Sequence, residues 1–217
     1  MDKKVNPAII GLPDKEIDIF SSPILFDQTI NEDNFKDLFD IYNSSWTVED
    51  GWLTGHNPDE SAGMAILKKD FPGNVLLHFL ARTVKPSTHD INFMWNGEWD
   101  SVLNSCGNAY IGSLCGWYSV RAGIEKSPGY KFRATSSNKC FEPFKQYEVF
   151  AGSIDGNCFI VADGELLLEV EDPEPLDNKK YSKVAFTAWS SHIQVRNIVI
   201  RQVAWKPVSR RYFPEKL

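Results

Sequence analysis

The chain has 217 residues, of which 13% are aromatic and 24% charged, and its formal net charge is -6 with a sequence pI near 5.3. This composition excludes a disordered chain, and the acidic balance argues against a partner whose phosphates must be neutralised by a basic surface. No apolar run reaches the roughly 18 residues of a membrane span, and the length suits one all-β domain with a sizeable core.

Residues 1–22 are rich in proline and polar groups. They read as an arm laid over a body formed by residues 23–217, a single domain. SSPILFDQTI (21–30) has the character of a first strand. NEDNFKDLFDIY (31–42) spaces Phe35, Leu38, Phe39 and Tyr42 helically, enough for one or two turns. In WTVEDGWLTG (46–55) an apolar run reverses at Asp50-Gly51. NVLLHFLART (74–83) alternates, setting Val75, Leu77, Phe79 and Ala81 against Leu76, His78, Leu80 and Arg82. HDINFMWNGEWD (89–100) alternates again: Ile91, Phe93, Trp95 and Trp99 share one face, and Asp90, Asn92, Asn96, Glu98 and Asp100 the other.

Further strands are predicted at 109–119, 129–136, 146–154, 158–162, 165–170, 182–189 and 192–204. FIVADGELLLEV (159–170) reads as two strands joined at Asp163-Gly164, because a two-residue turn between right-twisted strands needs positive φ. In the last strand Ile193 and Val195 are out of phase with Ile198 and Ile200, and a bulge near Arg196-Asn197 restores the phase. Many short strands with almost no helix indicate a sandwich or jelly roll. KPVSRR (206–211), the densest basic stretch, reads as a solvated tail.

The four cysteines, Cys106, Cys115, Cys140 and Cys158, have no CxxC spacing, which argues against a zinc or thioredoxin-like site. They are expected as free thiols, and with a start lacking a secretory apolar region they point to the cytoplasm. No H-x-H, H-E-x-x-H or EF-hand spacing supports a transition-metal site, and none is assigned. A structural Ca²⁺ on Asp and backbone oxygens stays open, since such sites leave weak sequence traces.

The order WTVEDGWLTG, FPGNVLLHFLART, VADGELLLEV, VAFTAWSSHIQVRNIVIRQV resembles concanavalin-A-like jelly rolls. HDIN (89–92) and GIEKSPGYKF (123–132) resemble segments of the YesU-like family, found among bacterial carbohydrate-utilisation proteins. A more distant likeness is to the 3-keto-disaccharide hydrolase domain. The resemblance covers most of residues 24–204. It implies a concanavalin A-like lectin/glucanase sandwich of two antiparallel sheets, with a sugar groove on the concave face.

Sugars are held by aromatic platforms, amides, carboxylates and arginine. Trp117 and Tyr118 flank a Gly-rich segment, and Trp189 lies opposite in phase to Val184, Phe186 and Ala188, on the side of Lys183 and Thr187. The alternative for each tryptophan is a place in the core. The polar face of 89–100 means nothing on a solvated strand, but Phe93, Met94 and Trp95 make that strand central and so suggest a groove. Glu98-Trp99-Asp100 begins the E-x-D-x-x-E of laminarinase-type hydrolases, yet position 103 is Leu, so the second glutamate is missing. GIEKSPGYKFRA (123–134) brings Glu125 and Lys126 before a turn and Lys131 and Arg133 after it. That set suits an acidic sugar or an enolate, or else a surface ion-pair ladder. His78 and His89 are the histidines available as general base, or are structural.

The expectation is an intracellular carbohydrate-active protein, a glycoside hydrolase or lyase acting on a mono- or oligosaccharide. Glu125, Glu98, His78 and His89 would supply acid or base, and Asn92, Trp117, Lys131, Arg133 and Trp189 would hold substrate. The alternatives are a non-catalytic sugar-binding module and a scaffold partner in a sugar-processing complex. No nucleic-acid or membrane partner is expected.

Overall fold

The structure is a computed structural model describing residues 8–117, 120–130 and 132–209. The chain opens with a hairpin of β1 (Ile9–Gly11) and β2 (Lys15–Asp18), followed by β3 (Ile24–Asp27). One helical turn, α1 (Phe35–Leu38), runs directly into β4 (Phe39–Tyr42). Next come β5 (Ser45–Glu49), β6 (Trp52–Asn57), β7 (Gly63–Leu67) and β8 (Val75–Thr83). A small excursion of β10 (Trp99–Asp100) and β11 (Ser105–Cys106) separates β9 (Ile91–Gly97) from β12 (Ala109–Leu114). β13 (Ala122–Ser127) and β14 (Arg133–Thr135) follow. A meander of β15 (Tyr147–Ile154), β16 (Asn157–Ala162) and β17 (Glu165–Glu171) precedes β18 (Lys183–Ala188), β19 (Ser191–Gln202) and β20 (Trp205–Pro207).

Two antiparallel sheets make a sandwich. One has seven strands in the order β14-β13-β12-β9-β18-β7-β4, and the other runs β17-β16-β15-β8-β19-β6-β5, with β3 also paired to β19. Alternation sends Ile91, Phe93, Trp95, Val184 and Phe186 of the first sheet against Leu77, Phe79, Val149, Ile160 and Ile200 of the second. Phe79 sits edge-on to both Phe93 and Phe186, with ring centroids 5.1 Å apart in each pair. Removing these side chains from water, at roughly 25 cal/mol per Å² of apolar area, is the main favourable term for the fold.

The turn chemistry is as the sequence predicts. Asp50 and Gly51 have φ of 50° and 75°, and Asp163 and Gly164 have φ of 50° and 86°. Both pairs therefore occupy the left-handed conformation that a two-residue hairpin turn demands. The β19 register shifts against β8 between Arg196 and Val199, and Asn197 has φ 53°, so the bulge lies where the phase change requires one. The N-terminal hairpin pairs with β20, and its Ile10, Leu12 and Ile17 cover Leu76, Phe150 and Phe159 on the outer face of the eight-stranded sheet.

Three local expectations are corrected. The helical spacing at 31–42 yields a single turn, and Phe39–Tyr42 are taken as an edge strand against β7. Residues 122–127, outside the predicted strands, form a full strand between β12 and β14. The alternation of 89–100 breaks at Asn96, which has φ 43°. Its side chain turns inward, accepting from Ser153 Oγ at 2.9 Å and donating to the Gly73 carbonyl at 3.0 Å. Three residues of β9 beyond Met94 then oppose two of β18, and everything after Asn96 changes side. All four cysteines are free. Among the described residues no helix is long and apolar enough to cross a membrane.

Candidate functional site

The outward face of the seven-stranded sheet divides in two. One half is apolar: Met64, Ile66, Met94, Ala109 and Ala185 pack together under Tyr42, Trp99 and Cys106. The β10–β11 excursion caps it, with Trp99 stacked on Tyr42 at 4.2 Å. The other half is polar. Thr187, Asn92 and Ser113 stand directly opposite one another across β18, β9 and β12. One row further on, Met94, Ile111, Glu125 and Arg133 align across β9, β12, β13 and β14.

A cleft of about 220 Å³ opens over the polar half. Asn92 and Ile111 lie on its floor, Glu125 and Arg133 along one flank, Trp117, Tyr130 and Trp189 at its rim, and Asp90 beside them. Each of the three aromatic residues keeps close to two-fifths of its surface exposed. The chain bends sharply around the mouth, and Asp90, Tyr130 and Ser190 have φ of 76°, 52° and 47°. Gly116 is needed at the wall: a Cβ there would come within 2.8 Å of Ser113 Oγ and 3.1 Å of Asp90 Oδ1.

Asp90 is 6% exposed and Glu125 9%. Burial pushes the Asp90 carboxyl up to about 7, and a hydrogen bond from Asn92 pulls it back only in part. Burial likewise raises Glu125 to about 7. There the Arg133 guanidinium opposes the rise, and the neighbouring Asp90 charge adds to it. Arg133 Nε lies 3.3 Å from Glu125 Oε2, and its guanidinium sits 4.9 Å from the Tyr130 ring and 5.7 Å from the Trp117 ring. Three oxygens of the polar row, Asn92 Oδ1 in the cleft lining and Ser113 Oγ and Thr187 Oγ1 beneath it, are buried without a hydrogen-bond partner among the described residues. Two carboxyls that titrate near neutrality inside an aromatic-lined cleft can give and take protons around pH 7.

The structure brings Asn92, Trp117, Glu125, Arg133 and Trp189 into this one cleft. Lys131 lies outside the described residues, as does Tyr118. Lys126 points away, with Nζ 2.8 Å from Asp172 Oδ2.

The remaining acid and base candidates are elsewhere. His78 is on β8 of the opposite sheet, on the face away from the core. It stacks on Phe150 at 4.1 Å and meets Glu148 Oε1 at 2.9 Å. Burial lowers its pKa despite Glu148, so it is a packed side chain rather than a cleft base. Glu98 follows the phase break at Asn96, and its carboxylate accepts from the Asn108 side chain at 2.7 Å and the Asn108 backbone at 3.3 Å. His89 is exposed and lines a separate depression with His56 and His192.

Sequence reasoning placed Asp90 in the polar row and Thr187 on the outward face but gave neither a role. Tyr130 was missed, though an aromatic residue after Pro128-Gly129 and three before Arg133 was a usable signal. Among the described residues no group of three or more His, Cys, Asp and Glu side chains is placed to hold a metal ion.

No protein-family model matches the sequence, and no curated protein sequence matches it either. Solved structures do resemble it. A Bacillus subtilis protein of unknown function with a galectin-like fold superposes with a TM-score of 0.68 at 14% identity, over 84% of this chain and 97% of that one. The carbohydrate binding module CBM66 from Bacillus subtilis gives 0.60 at 10% identity, over 76% and 95%. A structure from work on endo-acting O-glycanases of the human gut microbiota gives 0.53 at 12% identity, over 82% and 98%. At these identities the likeness is one of fold. The chain has the galectin-like, concanavalin-A-like antiparallel sandwich.

Proposed function

We propose that this chain is a carbohydrate-active protein that binds a sugar in the cleft and acts on a glycosidic bond there. Trp117, Tyr130 and Trp189 offer aromatic faces to the C–H surface of a sugar ring. Asn92 offers its amide from below. Glu125, protonated, donates to the leaving oxygen, and Asp90, ionised, draws a proton from the attacking water. The charge of one carboxylate keeps the proton on the other, which is the division of labour that two-carboxyl glycoside hydrolysis uses.

The observation that carries this reading is the pair Asp90 and Glu125, both held near 7 in one aromatic-lined cleft. Solved structures of the same fold include a carbohydrate binding module, which supports a sugar ligand. The YesU-like assignment, and within it a bacterial origin, rests on the short motifs at 89–92 and 123–132. The four free thiols support a reducing, cytoplasmic setting.

A second reading, binding without turnover, is favoured by the Glu125–Arg133 ion pair. A carboxylate so held is an anchor for hydroxyl groups as much as an acid. Screening the purified protein against a panel of neutral, acidic, amino and 3-keto sugars and their aryl glycosides, by turnover and by calorimetry, tests both. Turnover supports the first reading, and heat without turnover supports the second. Neither signal with any member of the panel overturns the sugar-cleft assignment.

A further inference from the structure

The charges around the cleft do not balance among the described residues. Glu125 has Arg133 as its counterion at 3.3 Å. Asp90, almost fully buried, has an amide neighbour in Asn92 but no cation. Lys126, the other basic residue of this segment that the structure describes, is turned to Asp172 and the Glu174 carbonyl. Beside Asp90 lies the row Thr187–Asn92–Ser113, whose Oγ1, Oδ1 and Oγ atoms are buried without partners. These residues are 5%, 7% and 1% exposed. Of these, Asn92 lines the cleft together with Asp90, and its Oδ1 is an acceptor without a donor, while Ser113 and Thr187 lie beneath the lining with hydroxyls that can donate as well as accept. The aromatic rim of the cleft, Trp117, Tyr130 and Trp189, presents ring faces that attract a cation. Arg133 already sits against two of them.

We propose that the cleft selects a sugar carrying a free, protonated amine, with the ammonium seated against Asp90 and Asn92. The proposal rests on the sugar-cleft reading and adds to it the class of ligand. An ammonium adds to its donors a positive charge, which a neutral hexose lacks and a uronic acid opposes. It also fixes the proton distribution: beside an ammonium Asp90 stays ionised, and Glu125 is left as the carboxyl that holds the proton. An N-acetylated sugar has the same ring but no charge, so it is the control that isolates the amine.

The test is calorimetric titration of the full chain at pH 7.5. The probes are glucosamine, galactosamine and mannosamine with their β-linked oligomers, the N-acetylated counterparts, the parent hexoses and glucuronic acid. The expected result is that at least one amine binds roughly tenfold or more tighter than its N-acetylated form, with glucuronic acid weakest. Raising the salt concentration should shrink that ratio in the wild type. Asp90→Asn should bring it to within about twofold. N-acetylated or neutral sugars binding as tightly as the amines overturns the amine assignment while leaving the sugar cleft standing. So does a ratio that salt and Asp90→Asn leave unchanged. No heat with any sugar removes both.

Discussion

Arg133 and Glu125 face each other across adjacent strands in register, with Nε and Oε2 3.3 Å apart. The guanidinium is two-fifths exposed, and the carboxylate is close to fully buried. Arg133 therefore acts on Glu125 more than the reverse, by restraining a carboxyl that burial drives upward. Arg133→Gln should raise the Glu125 pKa further above its present value of about 7. If Glu125 is the proton donor, the alkaline limb of the pH–rate profile moves to higher pH. The shift can be read independently of activity by following the Glu125 carboxyl carbon in an NMR titration. An unmoved titration would contradict the pairing.

Both cleft carboxyls make stability depend on pH, with a definite sign. Asp90 rises from 3.8 to about 7 in the folded chain. Between roughly pH 4 and 7 the unfolded chain has lost this proton while the folded chain keeps it, so stability falls as pH rises through that window. The loss is on the order of 4 kcal/mol. Asp90→Asn removes the titration. Urea denaturation should show the variant more stable than wild type at pH 8, with the gap closing towards pH 4. A wild type as stable at pH 8 as at pH 4 would contradict the burial of Asp90.

The 159–170 hairpin depends on Gly164 at φ 86°. Gly164→Val places a β-branched side chain in the left-handed region and should cost about 1–3 kcal/mol. The readout is the urea midpoint at an unchanged m-value. A midpoint equal to wild type would argue against the turn.

Cys106, Cys115, Cys140 and Cys158 should all titrate with a thiol reagent after denaturation without reductant. In the folded state Cys106 should react slowly, since burial pushes its thiol up to about 12. Fewer than four reactive thiols in denaturant would mean a disulfide that the fold does not contain.

The sheets were legible in the sequence because each strand has one face in a single core. Leu77 and Phe79, or Val184 and Phe186, betray their neighbours' direction at once. The same alternation found the cleft residues Asn92 and Trp189, which lie on strands or strand ends without a break before them. It failed at Glu98, because one residue in the left-handed conformation, Asn96, reverses every side chain that follows. It also misjudged His78, because period two says which face a residue takes on its own strand and nothing about which sheet that strand joins. Periodicity put Asp90 on the polar face but gave it no role, and Tyr130 lies at a bend, where periodicity carries no signal. Their roles come from burial and from the loops that fold over the sheet.

The central claim is that the cleft carboxyls act on a sugar, and Glu125→Gln tests it most directly. The exchange keeps the shape of the side chain and removes its charge and proton, in a residue that contributes no apolar surface to the core. With the sugar panel that the wild type turns over or binds, the account predicts loss of turnover, or binding weakened by roughly 1–3 kcal/mol, while the melting temperature stays within a few degrees. A Glu125→Gln protein that processes and binds the same sugar as well as the wild type would contradict the account.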